Sequence, residues 1–388
     1  MGGDTMTATF DMGVLQRGAR LRRSPFFEAT QAYGAQAYTT YNHMLFPIRF
    51  ADPEAEYRRL IEHVTIWDVA VERQVEITGR DAFTFANRLT PRDLTRCAVG
   101  QGKYVLITSP AGGIINDPVL LRLGENHFWL ALADSDVRLW AEGVALHEGL
   151  EVKIGEPDVS PLQIQGPKAK AVIQALFGDA AASLSYYHFI ETQLDGIPVV
   201  VTRTGWTGEV GYEIYLRDGS RGSELWERIM TAGKPFKIRP TGPSDIRRIE
   251  AGILNWGADI TLDNNPYEVG LERLVDDNKH ADYIGKRALR QIKAAGVQRK
   301  LVGIEIAGER LDLNMTKWPV TSGGGVVGHV TSAVFSPRLQ KNIGYALVPV
   351  ACAELGTSLA VTLPNGSERA ARVAKRPFID PEKAIPRA

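Results

Sequence analysis

The order of apolar and polar positions changes character along the chain, and each change predicts an element. Residues 197–201 form an apolar, largely β-branched run. Gly205, Gly208 and Gly211 then interrupt it within seven residues, and alternation resumes through Tyr212, Ile214 and Tyr215. This spacing predicts a strand, a tight glycine turn and a returning strand. Glycine lets a backbone bend sharply or come close to a ligand. Glu213 falls where the returning strand begins. A carboxylate there can accept paired N–H bonds from a flat, amide-like heterocycle, with Trp206 or Tyr215 packed near the ring. The same residues also describe a surface hairpin whose glutamate is merely solvated.

Elsewhere, helical spacing covers residues 57–63, 81–89, 136–146, 168–177, 223–232 and 245–254. Ala82, Phe83, Phe85, Ala86 and Leu89 form the inward set of the second, and Ser244 is a good N-cap for the last. Arg247 and Arg248 lie on that last helix. Either guanidinium suits a carboxylate, with the other on a solvated face. Strand patterns occupy residues 66–69, 73–77 and 127–132, with further strand signal in 151–165. Residues 103–108 and 114–121 flank a Ser-Pro-Ala-Gly-Gly turn and predict a hairpin. Asp117 sits in its second arm directly before Pro118, which removes a ladder donor and so requires an edge or a bulge. Such a break can aim a carboxylate into a cavity, although in isolation an Asn-Asp-Pro turn is the readier reading. Residues 37–47 are rich in aromatic rings and polar tips, suited to a cation, a flat ligand or a core. The pattern shifts near residue 296 to short β-runs at 301–306, 326–331, 343–348 and 359–363, predicting a small antiparallel barrel or sandwich. Gly323 to Gly328 matches the dinucleotide glycine pattern, but it opens a strand and has no βαβ unit around it, so it is a hairpin turn.

Composition narrows the function classes. The 388 residues are 44% hydrophobic and 23% charged with zero formal net charge, the profile of a globular protein of two or three domains. Zero net charge argues against general attraction to nucleic acid or anionic membrane. Cys97 and Cys352 make no disulfide framework and fit a reducing cytoplasm. The scattered histidines lack metal-ligand spacing, so no metal is expected. Residues 1–23 carry no apolar signal core and are read as a loose tail.

Four ordered segments carry a family resemblance. These are Arg203 to Ile214, Gly112-Gly113-Ile114-Ile115-Asn116-Asp117, Arg248-Ile249-Glu250-Ala251-Gly252-Ile253, and Ser336 to Gly344. Together they resemble the glycine-cleavage T-protein (GcvT) family. Within it, Tyr38 to Leu45, Ile66 to Ile77, Ala133-Asp134-Ser135-Asp136, Ile164 to Lys168 and Arg376 to Ile379 are similar to the tetrahydrofolate-dependent dimethylsulfoniopropionate demethylases. Thr207-Gly208-Glu209-Val210-Gly211 instead has the T-protein form, where those demethylases usually carry a Ser-Lys-Gln-Gly-Gly-type loop. Asn255 to Asp259 likewise departs from their Ser-Tyr-Gly-Asn-Asp pattern. The resemblance implies an α+β fold. Three domains form a ring around a central folate channel, with two interleaved domains in residues 24–295 and a C-terminal antiparallel β-barrel in 296–388. It implies tetrahydrofolate as methyl acceptor, with Glu213 on the pterin, Arg248 on the folate tail carboxylate, Trp206 and Tyr215 lining the slot, and Asp117 as the catalytic or orienting residue beside N5. Tyr38, Tyr41, His43, Trp67 and His188 are candidate donor-pocket residues. The expected activity is demethylation of a small methylated compound, a sulfonium first. Alternatives are an O- or N-methyl donor, a glycine-cleavage aminomethyltransferase served by a lipoyl carrier protein, and a folate-binding regulatory protein.

Overall fold

The computed structural model describes residues 20–388. Most of the stretch read as a loose tail therefore lies outside the described residues. Its last part is not loose: the Arg22 N–H donates to the His43 carbonyl and its guanidinium meets Glu156.

Two mixed α/β layers and a barrel follow from the hydrophobic pattern. One six-stranded sheet has the order Phe189–Leu194, Ile197–Thr202, Gly211–Leu216, Ser160–Gln165, Thr65–Asp68, Arg239–Pro240. A five-stranded sheet has the order Lys153–Gly155, Gln74–Thr78, His127–Ala131, Val119–Gly124, Gln101–Tyr104. Chain-consecutive strands Thr65–Asp68 and Gln74–Thr78 belong to different sheets, so the turn between them crosses from one to the other. Val199, Val201, Tyr212 and Ile214 bury one side of the first sheet with Leu225, Trp226 and Ile229 of the helix Gly222–Gly233. Val200 and Tyr215 alternate to the other side and meet Leu121 and Trp129 of the second sheet. The two sheets thus share a core, as period-two alternation requires of a sheet covered on both faces.

Helix boundaries depart from the sequence pattern for local reasons. The helix Ala82–Leu89 buries Ala82, Phe85, Ala86 and Leu89 as expected, with Phe83 partly covered. Asp81 does not cap it; its carboxylate accepts from the Glu151 N–H at 2.9 Å. The helix expected over 245–254 spans only Asp245–Glu250, capped by Ser244. It stops because Gly252 turns left-handed (φ +71°) with Pro377 packed against it. Beyond it, Arg299–Ile306, Lys341–Pro349, Gly325–Ser336, Trp318–Ser322, Ser358–Thr362 and Glu368–Ala374 close into an antiparallel barrel, which leaves no exposed sheet edge.

Candidate active site

The predicted hairpin exists, and its register builds a polar row. Thr202 lies opposite Glu213, Glu213 opposite Gln163, and Gln163 opposite Trp67, so these four side chains stand on one face of the six-stranded sheet. Glu213 is buried and accepts hydrogen bonds on both oxygens. Its Oε1 accepts from Gln163 Nε2 at 2.8 Å; its Oε2 accepts from Thr204 Oγ1 at 2.8 Å and Tyr215 Oη at 2.7 Å. Burial raises its carboxyl above the ordinary glutamate value against the pull of those bonds. Gln163 Oε1 beside it is buried and has no partner among the described residues. An unpaired acceptor next to a carboxylate suits the amino and ring N–H edge of a pterin.

Two glycines of the turn make room for a side chain. A Cβ at Gly205 or Gly211 would collide with the Gln165 amide. That amide donates to the Thr204 carbonyl at 3.2 Å and accepts from Thr207 Oγ1 at 2.7 Å. Gly208 has φ +72°, and a Cβ there would lie 2.6 Å from Ala251 Cβ.

Asp117 sits where the chain changes sheet. Ile114–Asn116 pairs with Ile107–Thr108 in a two-stranded ribbon, and Val119–Gly124 belongs to the five-stranded sheet. The proline break between them frees Asp117 from any ladder, as its place before Pro118 predicts. Tyr104 Oη donates to Asp117 Oδ2 at 2.8 Å. Burial pushes the Asp117 carboxyl up to about 7, and the Tyr104 bond works in the opposite direction.

Glu72, on the sheet-crossing turn, joins the two. Burial first, then the Glu213 and Asp117 carboxylates, hold its own carboxyl well above the usual range. Tyr41 is raised by burial, Glu72 and Asp117. Tyr187 is raised by burial, Tyr186 and Glu213, with Arg273 and Arg92 acting against the rise. Tyr41, Glu72, Tyr104, Asp117, Tyr187 and Glu213 therefore form one cluster of mutually interacting groups. Sequence reasoning missed Glu72, Tyr104 and Tyr187. The signal available for Glu72 was a lone carboxylate in an apolar turn, next to an arginine that pairs elsewhere, with Glu156.

An asparagine knot ties the backbone beside this cluster. Asn42 Nδ2 donates to the carbonyls of Val71 at 2.9 Å and Ala133 at 3.2 Å. Asn116 Nδ2 donates to the same Ala133 carbonyl at 3.0 Å, and Asn116 Oδ1 accepts from the Ala133 N–H at 3.1 Å. Tyr41, Glu72 and Asp117 are each the chain neighbour of a residue in the knot.

The remaining candidates divide. Trp67 and Trp206 pack in one cluster with Phe46, whose ring is 5.9 Å from that of Tyr41. Tyr215 is wholly buried and orients Glu213 instead of lining an open slot. The hydroxyl of Tyr38 meets Thr30 Oγ1 and its ring meets Phe27, both on the helix Phe27–Ala32. His43 is exposed on its turn, and the His188 ring lies against the Tyr186 carbonyl. None of these contacts draws Tyr38, His43 or His188 to the carboxylates.

Neither arginine lies on a solvated face. Arg247 Nε donates to Glu209 at 2.7 Å. Arg248 binds Asp245 and Asp259, each at 2.7 Å, and Ser332 at 2.9 Å, with its guanidinium 5.7 Å from the Trp206 ring centre. A fork already holding two carboxylates offers no bidentate face to a ligand, so its geometry does not suit the tail-carboxylate role that the resemblance implied.

Sequence and structure comparisons show the family. Residues 26–279 match the GCVT N-terminal domain, and residues 299–380 match the glycine cleavage T-protein C-terminal barrel domain. This chain belongs to the glycine-cleavage T-protein family. The dimethylsulfoniopropionate demethylase DmdA of Ruegeria pomeroyi is 39% identical over 347 residues, covering 89% of this chain and 94% of that protein. An aminomethyltransferase of Bacillus cytotoxicus is 32% identical over 348 residues, covering 88% and 94%. The crystal structure of the glycine cleavage system aminomethyltransferase T from Bartonella henselae superposes with TM-score 0.83 at 26% identity, covering 92% and 98%. Membership makes the chain a tetrahydrofolate-dependent enzyme of one-carbon transfer. Among the described residues no helix is long and apolar enough to cross a membrane.

Proposed function

We propose that the protein demethylates a small methylated compound, a sulfonium resembling dimethylsulfoniopropionate being the first choice, and delivers the methyl group to N5 of tetrahydrofolate. The observation that carries this reading is the buried Glu213 carboxylate with the unpaired Gln163 Oε1 beside it, in a cluster that also holds Asp117 and Glu72. Glu213 and the unpaired Gln163 Oε1 hold the pterin edge, and Asp117 faces N5. When bound, tetrahydrofolate supplies the nitrogen lone pair that takes the methyl group. The donor's sulfur keeps the electrons of the broken C–S bond and leaves as a neutral thioether, which needs no acid. The surplus N5 proton passes to Asp117, whose value near 7 suits a base working at neutral pH. Most of the rate comes from holding donor and acceptor in line.

With Arg248 occupied, the anionic ends of the ligands fall to other cations. Arg92 and Arg273 act on Tyr187, Arg387 acts on Tyr186, and Lys383 lies near Arg273 and Arg387. On this reading residues 24–295 are the folate-binding region, in two interleaved domains, and 296–388 the barrel domain.

Incubating the pure protein with tetrahydrofolate and dimethylsulfoniopropionate should yield 5-methyltetrahydrofolate and a thioether. Absence of product with sulfonium, betaine and methoxyaryl donors would refute the proposal. A second reading, aminomethyl transfer from a lipoyl carrier, is favoured by the T-protein form of the loop Thr207 to Gly211. Ammonia release from an aminomethyl-loaded carrier would support it.

A further inference from the structure

We infer that residues 380–388 form a latch whose catch is the Arg203 side chain, and that tetrahydrofolate bound at Glu213 closes it. This rests on the folate-binding part of the methyl-transfer reading and adds a moving element to it.

The first ground is how this segment is attached. After the barrel strand Glu368–Ala374 the chain is pinned to the helix Asp245–Glu250. The Phe378 and Ile379 N–H groups both donate to the Glu250 carbonyl at 2.9 Å, and the Phe378 ring stacks on Tyr345. Asp380 then turns left-handed, with φ +54°. Beyond it the segment bonds to itself. The Asp380 carboxylate accepts from the Ala384 and Ile385 N–H groups at 2.9 and 2.8 Å, and the Arg387 N–H donates to the Ala384 carbonyl at 3.1 Å. Among the described residues, its only hydrogen bonds to the rest of the chain come from Arg203. Nη2 of that guanidinium donates to the carbonyls of Pro386 at 3.2 Å and Ala388 at 2.6 Å. Of residues 380–388 only Pro386 is buried. An element held by so few contacts opens at low cost in free energy.

The second ground is the catch itself. Arg203 is 3% exposed, and its Nε and Nη1 have no hydrogen-bond partner among the described residues. Its guanidinium lies 4.7 Å from the Tyr212 ring centre, which replaces only part of the lost hydration. Burying a cation with two unpaired N–H groups is costly, so the closed latch is weakly held. Lys383 is also held below the ordinary lysine value, by burial and then by Arg273 and Arg387, so like charges crowd the closed face. The third ground is what the catch adjoins. Thr202 and Thr204 flank Arg203. Thr204 Oγ1 donates to Glu213 Oε2 at 2.8 Å and meets Thr202 Oγ1. The Arg203 N–H donates to the His188 carbonyl, and its carbonyl accepts from the Tyr187 N–H, each at 2.9 Å. The backbone that sets Glu213 is therefore the backbone that carries the catch. A ligand that fixes Glu213 fixes Arg203, and by linkage a closed latch strengthens ligand binding in turn.

The test is amide hydrogen exchange on the intact wild-type chain, with and without saturating tetrahydrofolate, read by mass spectrometry. In the free protein the amides of residues 384–388 should exchange far faster than those of the strand Gly211–Leu216. Tetrahydrofolate should slow them roughly tenfold, a typical coupling between two sites. Asp380→Ala removes the acceptor of two N–H groups and so unmakes the latch without touching Glu213 or Arg203. It should raise the tetrahydrofolate Kd roughly fivefold or more and leave kcat within about twofold, since the coupling acts on binding. Exchange in 384–388 that tetrahydrofolate leaves unchanged would overturn the inference, and so would free-protein exchange as slow as the strand's. Both are read on wild type, so the test stands even if Asp380→Ala fails to fold. Unchanged tetrahydrofolate affinity in a folded Asp380→Ala would overturn it too. Ligand-dependent protection without 5-methyltetrahydrofolate formation would uphold the latch and refute the methyl-transfer reading. Turnover with unchanged exchange would do the reverse.

Discussion

Asp117 concentrates the chemistry in one side chain. Its carboxyl sits near 7 in the fold against about 3.9 in an unfolded chain, because burial outweighs the Tyr104 bond. Between those values the folded chain holds a proton that the unfolded chain has lost. Its contribution to stability is therefore full below about pH 4 and is lost as pH rises through about 7. Asp117→Asn should remove that slope and leave the protein on the order of 2–4 kcal/mol more stable at pH 8 than wild type, read by denaturant unfolding across pH. The same variant should lower kcat by roughly 10²–10⁴ and abolish a rising limb near pH 7 in kcat/KM, with tetrahydrofolate binding kept. Loss of folate binding instead would make Asp117 part of the folate site alone.

At the scale of elements, the glycine hairpin and the sheet-crossing turn divide the work. The hairpin was legible because alternation fixes register: with Thr202 opposite Glu213, the carboxylate must stand on the face that also carries Gln163 and Trp67. The purpose of its glycines was not legible. Gln165 lies about forty residues away in the chain, and only the folded sheet shows its amide beneath Gly205 and Gly211. Gly205→Ala should therefore destabilise the fold by about 1–3 kcal/mol, the usual cost of overpacking, and weaken folate binding through displaced Thr204 and Glu213. Thermal unfolding together with calorimetric titration of tetrahydrofolate checks both effects. The Asp117 break was legible because Pro118 has no N–H to give to a ladder. Glu72 was not, because a carboxylate in a turn ordinarily points to water, and only the convergence of two sheets brings this one near Glu213 and Asp117.

Across the whole molecule, the helix Asp245–Glu250 is where the N-terminal layers meet the barrel. Arg248 reaches Ser332 of the barrel, and Tyr345 Oη donates to the Ile249 carbonyl at 2.9 Å. Glu250 accepts from Tyr57 Oη at 2.8 Å on one side and Ser336 Oγ at 2.6 Å on the other. The barrel itself was readable from its short β-runs, and the family resemblance from four ordered motifs. The burial of both arginines was not, since a helix of this length shows no clear polar face. Arg248→Met strands Asp259 and Asp245 without their cation and should cost about 3–5 kcal/mol in stability. If Arg248 ties the molecule together and does not grip the folate tail, the folded variant retains folate affinity within a few fold; a hundredfold loss would restore the tail role.

The most direct measurement is a crystal structure of the protein with tetrahydrofolate bound. The account predicts the pterin edge on the Glu213 carboxylate and Gln163 Oε1, with N5 within hydrogen-bond reach of Asp117. A pterin seated elsewhere, or one whose N5 turns away from Asp117, would contradict it.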